Sequence, residues 1–402
     1  MTSSLPPSTR RRLAGPVLSP WRGGRGDASG QPPVRLTAAL CRSEGQFAGL
    51  AADWDALRSR NRSATPFQSH AWLWSWWRSY GRRGRLRVVL VRENGRLVAA
   101  APLMLVHRPL PVLVTLGGSV SDYQDVLLDD NCPRAAGALA RALHTAFRGA
   151  VLDLREVRPG GAAERLYAAW PGVSRCLADS VCLELPGIPM AELLARLTPA
   201  DAEHTGRELH RIDELGIEAC DVTGERVPEA VRTMLRLHQR QWRGRGLTPE
   251  HLRTRFGAHL VRATTALVAD GDAAVAEYRI GGRVIACRTA FTSQDLVCGY
   301  LHGAEPRLRE ERVDIPALLL RHDARYAATT GRGTLSLLRG TEPYKLRWRP
   351  VTAANRRYLL ARRELAPALA LLAAQVAARE SVVGALRKCP GAAAVHAPLG
   401  RR

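Results

Sequence analysis

The sequence predicts a mixed α/β (α+β) chain built as two tandem units, each a mainly antiparallel sheet flanked by helices. Three observations carry this. Hydrophobic residues make up 46% and charged residues 24% of 402 residues, a globular balance with room for two domains. A hairpin signature recurs: Arg92, Gly95, Arg96 and Ala99 return as Arg279, Gly282, Arg283 and Ala286, each 187 residues later. Each hairpin is followed by a proline-opened helix and an apolar strand, and these pairs lie 183 to 184 residues apart. Three elements in one order at nearly one offset point to a tandem duplication.

Residues 1–33 are rich in Pro, Gly, Ser and Arg without an apolar period, which predicts a disordered tail. The first unit is expected over 34–185. Phe47, Leu50, Trp54 and Leu57 give a helix over 47–57, and a second helix begins near Ser69. That helix carries Trp72, Trp74, Trp76 and Trp77, read as packing residues. Strands Leu86–Arg92 and Arg96–Val106 flank Asn94-Gly95, a pair suited to a type I′ turn. Pro133 opens a helix to Phe147, followed by strand Val151–Leu154.

The second unit is expected over 186–361. Strands Ala274–Arg279 and Arg283–Thr292 flank Gly281-Gly282. Strand Asp295–Leu301, loop His302–Asp314, a helix from Pro316 to Thr329 and strand Thr334–Leu338 follow. Residues 362–402 read as a C-terminal helix, to Lys388, and a frayed tail.

The formal net charge is +22, with 59 basic residues of which only Lys345 and Lys388 are lysine. Beyond Arg10–Arg12 the charge reads as thinly spread, and no aromatic-plus-basic RNA motif is present. A solvated Arg-rich surface fits this better than a nucleic-acid groove, and an acidic, nucleotide-bearing co-substrate fits it as well. The eight cysteines contain no Cys-x-x-Cys pair, so they read as free thiols of a cytoplasmic protein rather than zinc ligands or disulfides. No metal-ligand histidine spacing, Walker A, dinucleotide or nucleophile-elbow motif occurs, and no metal is expected. No run reaches the ~18 apolar residues of a membrane span, and no secretory signal follows the N-terminal arginines.

Three stretches stand out. The first is Trp54–Leu57 followed by Pro66–Trp72; the second is Gly118–Asp125; the third is Leu338–Trp348. On these motifs residues 36–361 resemble the duplicated N-acyltransferase fold, and more closely the GNAT acetyltransferase-domain family of BioF2-like and CelD-like (cellulose-biosynthesis) proteins. The family is also similar to FemAB-type transferases, which use aminoacyl-tRNA.

The resemblance implies an acyltransferase that carries an acyl group from acyl-CoA (acetyl-CoA) to an amine or hydroxyl. A cell-envelope polysaccharide or peptidoglycan precursor is the implied acceptor. The donor slot would lie where two strands splay apart in the second unit. Arg307, Arg309 and Arg312, in the loop before a helix, suit phosphates by charge, or decorate an ordinary surface loop. That loop lacks the family's Gly-rich phosphate pattern.

Glu342 is the expected acceptor of the amine proton and Tyr344 the expected donor to the departing sulfur. Lys345 or Arg339 would hold an anionic group and Trp348 would wall the pocket; alternatively Glu342 pairs with Arg339 or Lys345 to hold the turn. Asp122, Tyr123 and Asp125 would grip the acceptor, or cap a helix and fix a loop. His238 and Trp242 share a helix face bordering the cleft, or form part of the core. His302 reads as structural, or as a base near the slot. The alternatives to acyl-CoA chemistry are aminoacyl transfer from tRNA and a non-catalytic binding protein. Oligomeric state stays open.

Overall fold

The computed structural model describes residues 17–22, 35–108, 110–244 and 248–388. The first half contains strands β1 (Val17–Arg22) and β2 (Arg35–Cys41), then helices α1 (Glu44–Ala48), α2 (Ala51–Arg58) and α3 (His70–Tyr80). Strands β3 (Leu86–Glu93), β4 (Arg96–Arg108), β5 (Leu110–Thr115) and β6 (Leu127–Leu128) follow. Helix α4 (Ala135–Ala146), β7 (Val151–Val157), α5 (Ala162–Ala168) and β8 (Val173–Pro186) complete it.

The second half repeats the grammar. Helices α6 (Met190–Ala195) and α7 (Pro199–Glu214) lead to β9 (Glu218–Val222), α8 (Val227–Gln241) and α9 (Thr254–Ala269). Strands β10 (Ala273–Ile280), β11 (Arg283–Thr292) and β12 (Leu296–Ala304) precede α10 (Pro306–Glu310), α11 (Ile315–Thr330) and β13 (Thr334–Arg339). Helix α12 (Pro343–Leu346), β14 (Val351–Ala361) and α13 (Ala366–Lys388) end the described chain.

Both hairpin turns form at the predicted residues for the predicted reason. Asn94 and Gly95 have φ of 49° and 87°, and Gly281 and Gly282 have 53° and 79°. Positive φ at both central residues matches the right-handed strand twist. The halves share a rarer feature: Glu156 near the end of β7 and Leu338 near the end of β13 both have positive φ, at 53° and 58°.

Among the described residues all fourteen strands join one sheet, ordered β1-β2-β3-β4-β5-β7-β14-β8-β13-β12-β11-β10-β9, with β6 on β4. The last strand of each half crosses over. β14 lies between β7 and β8, and β8 lies between β14 and β13. Each half therefore completes the other's sheet, and the boundary expected at 185/186 falls inside β8. Helices α4 and α5 cover one face of the first half, with Leu139, Leu143 and Leu166 in one core with Leu152 of β7. Helices α6, α7 and α11 cover the same role in the second through Leu193, Ile212 and Leu318. A shared core on the opposite face joins α3 to α8 and α9, with Trp54, Trp72, Met234, Phe256 and Phe291 buried together. Trp72, Trp76 and Trp77 pack in this core, as the spacing suggested.

Three details differ from the sequence reading. The predicted helix over 47–57 is two short helices parted at Gly49 and Leu50, so Phe47 and Trp54 approach edge-on at 5.8 Å between ring centroids. Residues Val17–Arg22, expected to be disordered, pair antiparallel with β2; a composition average over 33 residues hides a short strand at a sheet edge. The rest of that tail, Arg10–Arg12 included, and the C-terminal tail 389–402 lie outside the described residues.

Candidate functional site

Parallel strands β12 and β13 pair only from Leu296–Cys298 to Thr334–Ser336 and then separate. β12 continues along β11 to Ala304, with a bulge that sets Ala290 opposite Gly299 and Thr289 opposite Leu301. Tyr300 is the extra residue, and a bulge leaves such a residue out of the ladder. β13 breaks register against β8 between Ser336 and Arg339, beside the positive φ of Leu338. The two irregular strands diverge over a cleft of about 700 Å3, open mouth included. Its apolar wall is Val297, Leu301, Leu335 and Leu337 from the strands and Leu319 and Leu320 from α11.

The corresponding gap in the first half is filled. β5 and β7 pair only from Val112–Val114 to Val151–Asp153. Beyond them the chain folds back through Gly117 and Gly118, whose φ values are 103° and 51°. The Gln124 amide then donates to Glu156 O at 3.0 Å, and its side chain donates to Gly118 O at 2.8 Å. One of two repeated openings is plugged by the chain itself and the other is free.

Tyr344, Lys345 and Trp348 line the free cleft. The strand leaves through Gly340 at φ 110°, where a Cβ would stand 2.5 Å from the Glu342 carboxylate. Glu342 precedes the single turn of α12, and its carboxylate pairs with Lys345 Nζ at 2.9 Å. Lys345 also donates to Arg339 O at 2.7 Å, so the lysine pins the turn while lining the cleft. Tyr344 is 42% exposed, and burial of the rest of the side chain pushes its phenol up to about 12.

Arg339 turns away from the cleft, toward the first half. It donates to Asp122 Oδ1 at 2.5 Å, Glu156 Oε1 at 3.2 Å and Ser119 O at 2.7 Å. Its charge is thus spent within the chain. Asp122 is its partner, and Asn355 donates to Asp122 O at 3.3 Å. Tyr123 is buried, donating to Glu184 at 3.0 Å with Ser336 Oγ at 2.9 Å. Asp125 accepts the backbone N–H groups of Val126, Ala162 and Ala163, each at 2.7 Å. It caps α5, and burial raises its carboxyl to about 7 against those three bonds.

Arg307, Arg309 and Arg312 are not in the cleft wall. Arg307 pairs with Glu311 at 2.6 Å on α10. The α11 N-terminus carries Asp314, which accepts from Ala317 N at 3.0 Å and pairs with Arg347 at 2.5 Å. His238 is buried between α8 and β12, with Nδ1 2.7 Å from His302 O and Nε2 3.1 Å from His251 Nδ1. Trp242 lies tilted beside it, its ring centroid 6.3 Å away. Neither lines the cleft. His302 does, and burial lowers its imidazole to about 4, so it is neutral at physiological pH.

Sequence reasoning missed the charged floor of the cleft. Arg288 from β11, 2% exposed, pairs through Nη1 with Asp323 Oδ1 from α11. Thr289 and Ser336 lie beside them. Gly299 leaves room for Asp323, since a Cβ there would stand 3.0 Å from Oδ2. The available signal was an arginine inside the apolar run Val284–Phe291, which a buried strand tolerates only with a partner. Among the described residues no cluster of three metal-ligating side chains forms.

Residues 202–346 match the Acetyltransferase (GNAT) domain family, a span that holds β9 to β13 and the Glu342–Lys345 turn. The chain is similar to FemX: 11% identity, 77% of this chain and 95% of that one, TM-score 0.56. A conserved protein of unknown function from Bacteroides thetaiotaomicron shares 12% identity over 80% and 99% of the two chains, TM-score 0.52. The C-terminal domain of a putative lysylphosphatidylglycerol synthetase from Agrobacterium fabrum shares 12% over 83% and 97%, TM-score 0.51. At these identities the likeness is one of fold. No curated protein matches the sequence. The class defined is a tandem GNAT-like α/β fold whose second half carries a GNAT acetyltransferase-domain match.

Proposed function

We propose that this chain is an acyltransferase of the BioF2-like and CelD-like kind, moving an acyl group from a CoA thioester to an amine or hydroxyl acceptor. The observation that carries the reading is the asymmetry of the two strand openings: only the β12/β13 cleft is free. The acyl-bearing arm lies along the splayed strands, its apolar stretch against Leu301, Leu335 and Leu337. The basic segment Arg307–Arg312, just before α11, serves the phosphates by charge rather than by a glycine-rich loop.

The acceptor nitrogen or oxygen attacks the thioester carbon, and the C–S bond then breaks. Tyr344 O–H protonates the departing sulfur, and the acceptor's proton passes through water to Glu342. Asp122 and Tyr123 act on the acceptor through the Arg339 and Glu184 network rather than by open contact. His238 and Trp242 support β12 from behind. A cell-envelope precursor is the acceptor class, and the cytoplasm, where CoA thioesters are made, is the site of reaction.

Thiol release from acetyl-CoA and a longer acyl-CoA, measured with a panel of amino sugars and peptidoglycan precursors, tests this. Glu342→Gln and Tyr344→Phe should each lower kcat at least tenfold while thermal melting stays unchanged. Parental rates in both variants would sink the assigned roles. Transfer only from charged tRNA would replace the donor class.

A further inference from the structure

One end of the first-half sheet gathers charge that the chain does not neutralise. The loop between α3 and β3 carries Arg82, Arg83 and Arg85, and Arg87 is the second residue of β3: four arginines in six residues, a dense run that corrects the thinly spread charge read from the sequence. Arg42 joins them, because Cys41 pairs with Val88. Arg42, Arg82 and Arg83 are exposed. None of the five makes a carboxylate ion pair among the described residues. Arg85 meets His107 Nδ1 at 2.8 Å, and Arg87 donates to Gly84 O at 3.0 Å and Leu86 O at 2.6 Å. Burial, then the charges of Arg42 and Arg85, pull the Arg87 pKa down.

The same sheet end continues into an apolar groove. Leu86 pairs with Met104, His107 with Pro111 and Arg108 with Leu110, so the ends of β3, β4 and β5 lie together; side-chain alternation turns Arg87 and His107 to the α4 face and Arg108 and Leu110 to the α13 face, and the two sets meet at the strand ends. Leu110, Val112 and Val151 face Leu371 and Leu372 of α13, with Arg108 at the rim. Leu110 is 39% and Leu371 50% exposed, two of the few large apolar side chains left in water.

Crowded cations call for an anionic partner, and exposed leucines at the same strand ends call for one with an apolar layer under its charge. We propose that this sheet end docks the chain on a bilayer rich in anionic phospholipid. The arginines meet phosphate headgroups, and Leu110 and Leu371 enter the boundary between headgroups and acyl chains. RNA offers the phosphates without the apolar layer. RNA-binding surfaces also present exposed aromatic rings, and the large exposed apolar residues here are both leucine. The proposal does not rest on the donor cleft, so either reading can fail alone.

Co-sedimentation of the full chain with vesicles tests it. One set is phosphatidylcholine alone; the other is equal parts phosphatidylcholine and phosphatidylglycerol. The chain should partition to the anionic vesicles only, and less at higher salt. R82Q/R83Q/R85Q/R87Q should lower partitioning more than tenfold, and the wholly exposed pair R82Q/R83Q should do so in part, with unchanged circular dichroism. L110S/L371S should leave binding weaker and more salt-sensitive. Equal binding to both vesicle sets, parental binding by the quadruple variant, or tighter binding to a short RNA duplex at matched salt would overturn it.

Discussion

Arg288 and Asp323 hold opposite charges at the floor of the cleft, where water reaches little of either. Removing one leaves the other buried and alone. Arg288→Met should cost about 3–5 kcal/mol in urea unfolding, whereas Arg288→Met with Asp323→Leu should stay far closer to the parent. Equal losses in both variants would mean that the pair does not act as a unit. The sequence marked neither residue, because the chain separates the partners and only the packing of α11 on β11 brings them together. By contrast Glu342, Tyr344, Lys345 and Trp348 were legible as one group, since one short stretch around α12 holds all four. What spacing could not reveal was direction. Arg339 sits three residues before Glu342 yet reaches Asp122 and Glu156 in the other half. Asp125 reads either as a ligand for an acceptor or as a helix cap, and it closes the first turn of α5.

Strand β12 and helix α8 touch backbone to backbone at Gly303. A Cβ there would stand 2.3 Å from both His238 N and Met234 O. Gly303→Ala should therefore cost about 1–3 kcal/mol, with His238 losing its bond to β12. An unchanged melting temperature would show that α8 can shift freely. Elements with a strong local signal were readable. The two hairpins carry their turn residues in sequence, and helices α3, α4 and α11 carry apolar periods. Elements made by their surroundings were not. α12 spans Pro343–Leu346, too short for a period, and β1 exists through its pairing with β2. The length of pairing between β12 and β13, which creates the cleft, has no local sequence signature at all.

At the scale of the molecule, the exchange of β8 and β14 makes the two repeats one folding unit. The duplication was legible from its offset, while the exchange was not, since it rearranges neighbours without changing their order in the chain. Residues 1–185 and 186–402 expressed apart should each fail to fold and should recover a single cooperative transition when mixed. Two separate transitions in the intact chain would contradict this.

Acid should weaken the whole. His259 is fully buried, and burial lowers its imidazole to about 3. The folded chain holds it neutral, so the unfolded chain takes up its proton first. Stability is complete above about pH 6.5 and falls toward pH 3, by up to about 1.4 kcal/mol per unit from this residue. His259→Asn should flatten that slope in a urea series across pH, and an unaltered slope would mean that His259 does not contribute to the acid sensitivity.

Calorimetric titration with acetyl-CoA decides whether the free cleft in the second half takes the acyl donor. The parent should bind saturably at one site, and Gly299→Leu, which pushes a side chain against Asp323 on the cleft floor, should abolish the heat while leaving the fold intact. Undiminished binding by that variant, or none by the parent, would contradict it.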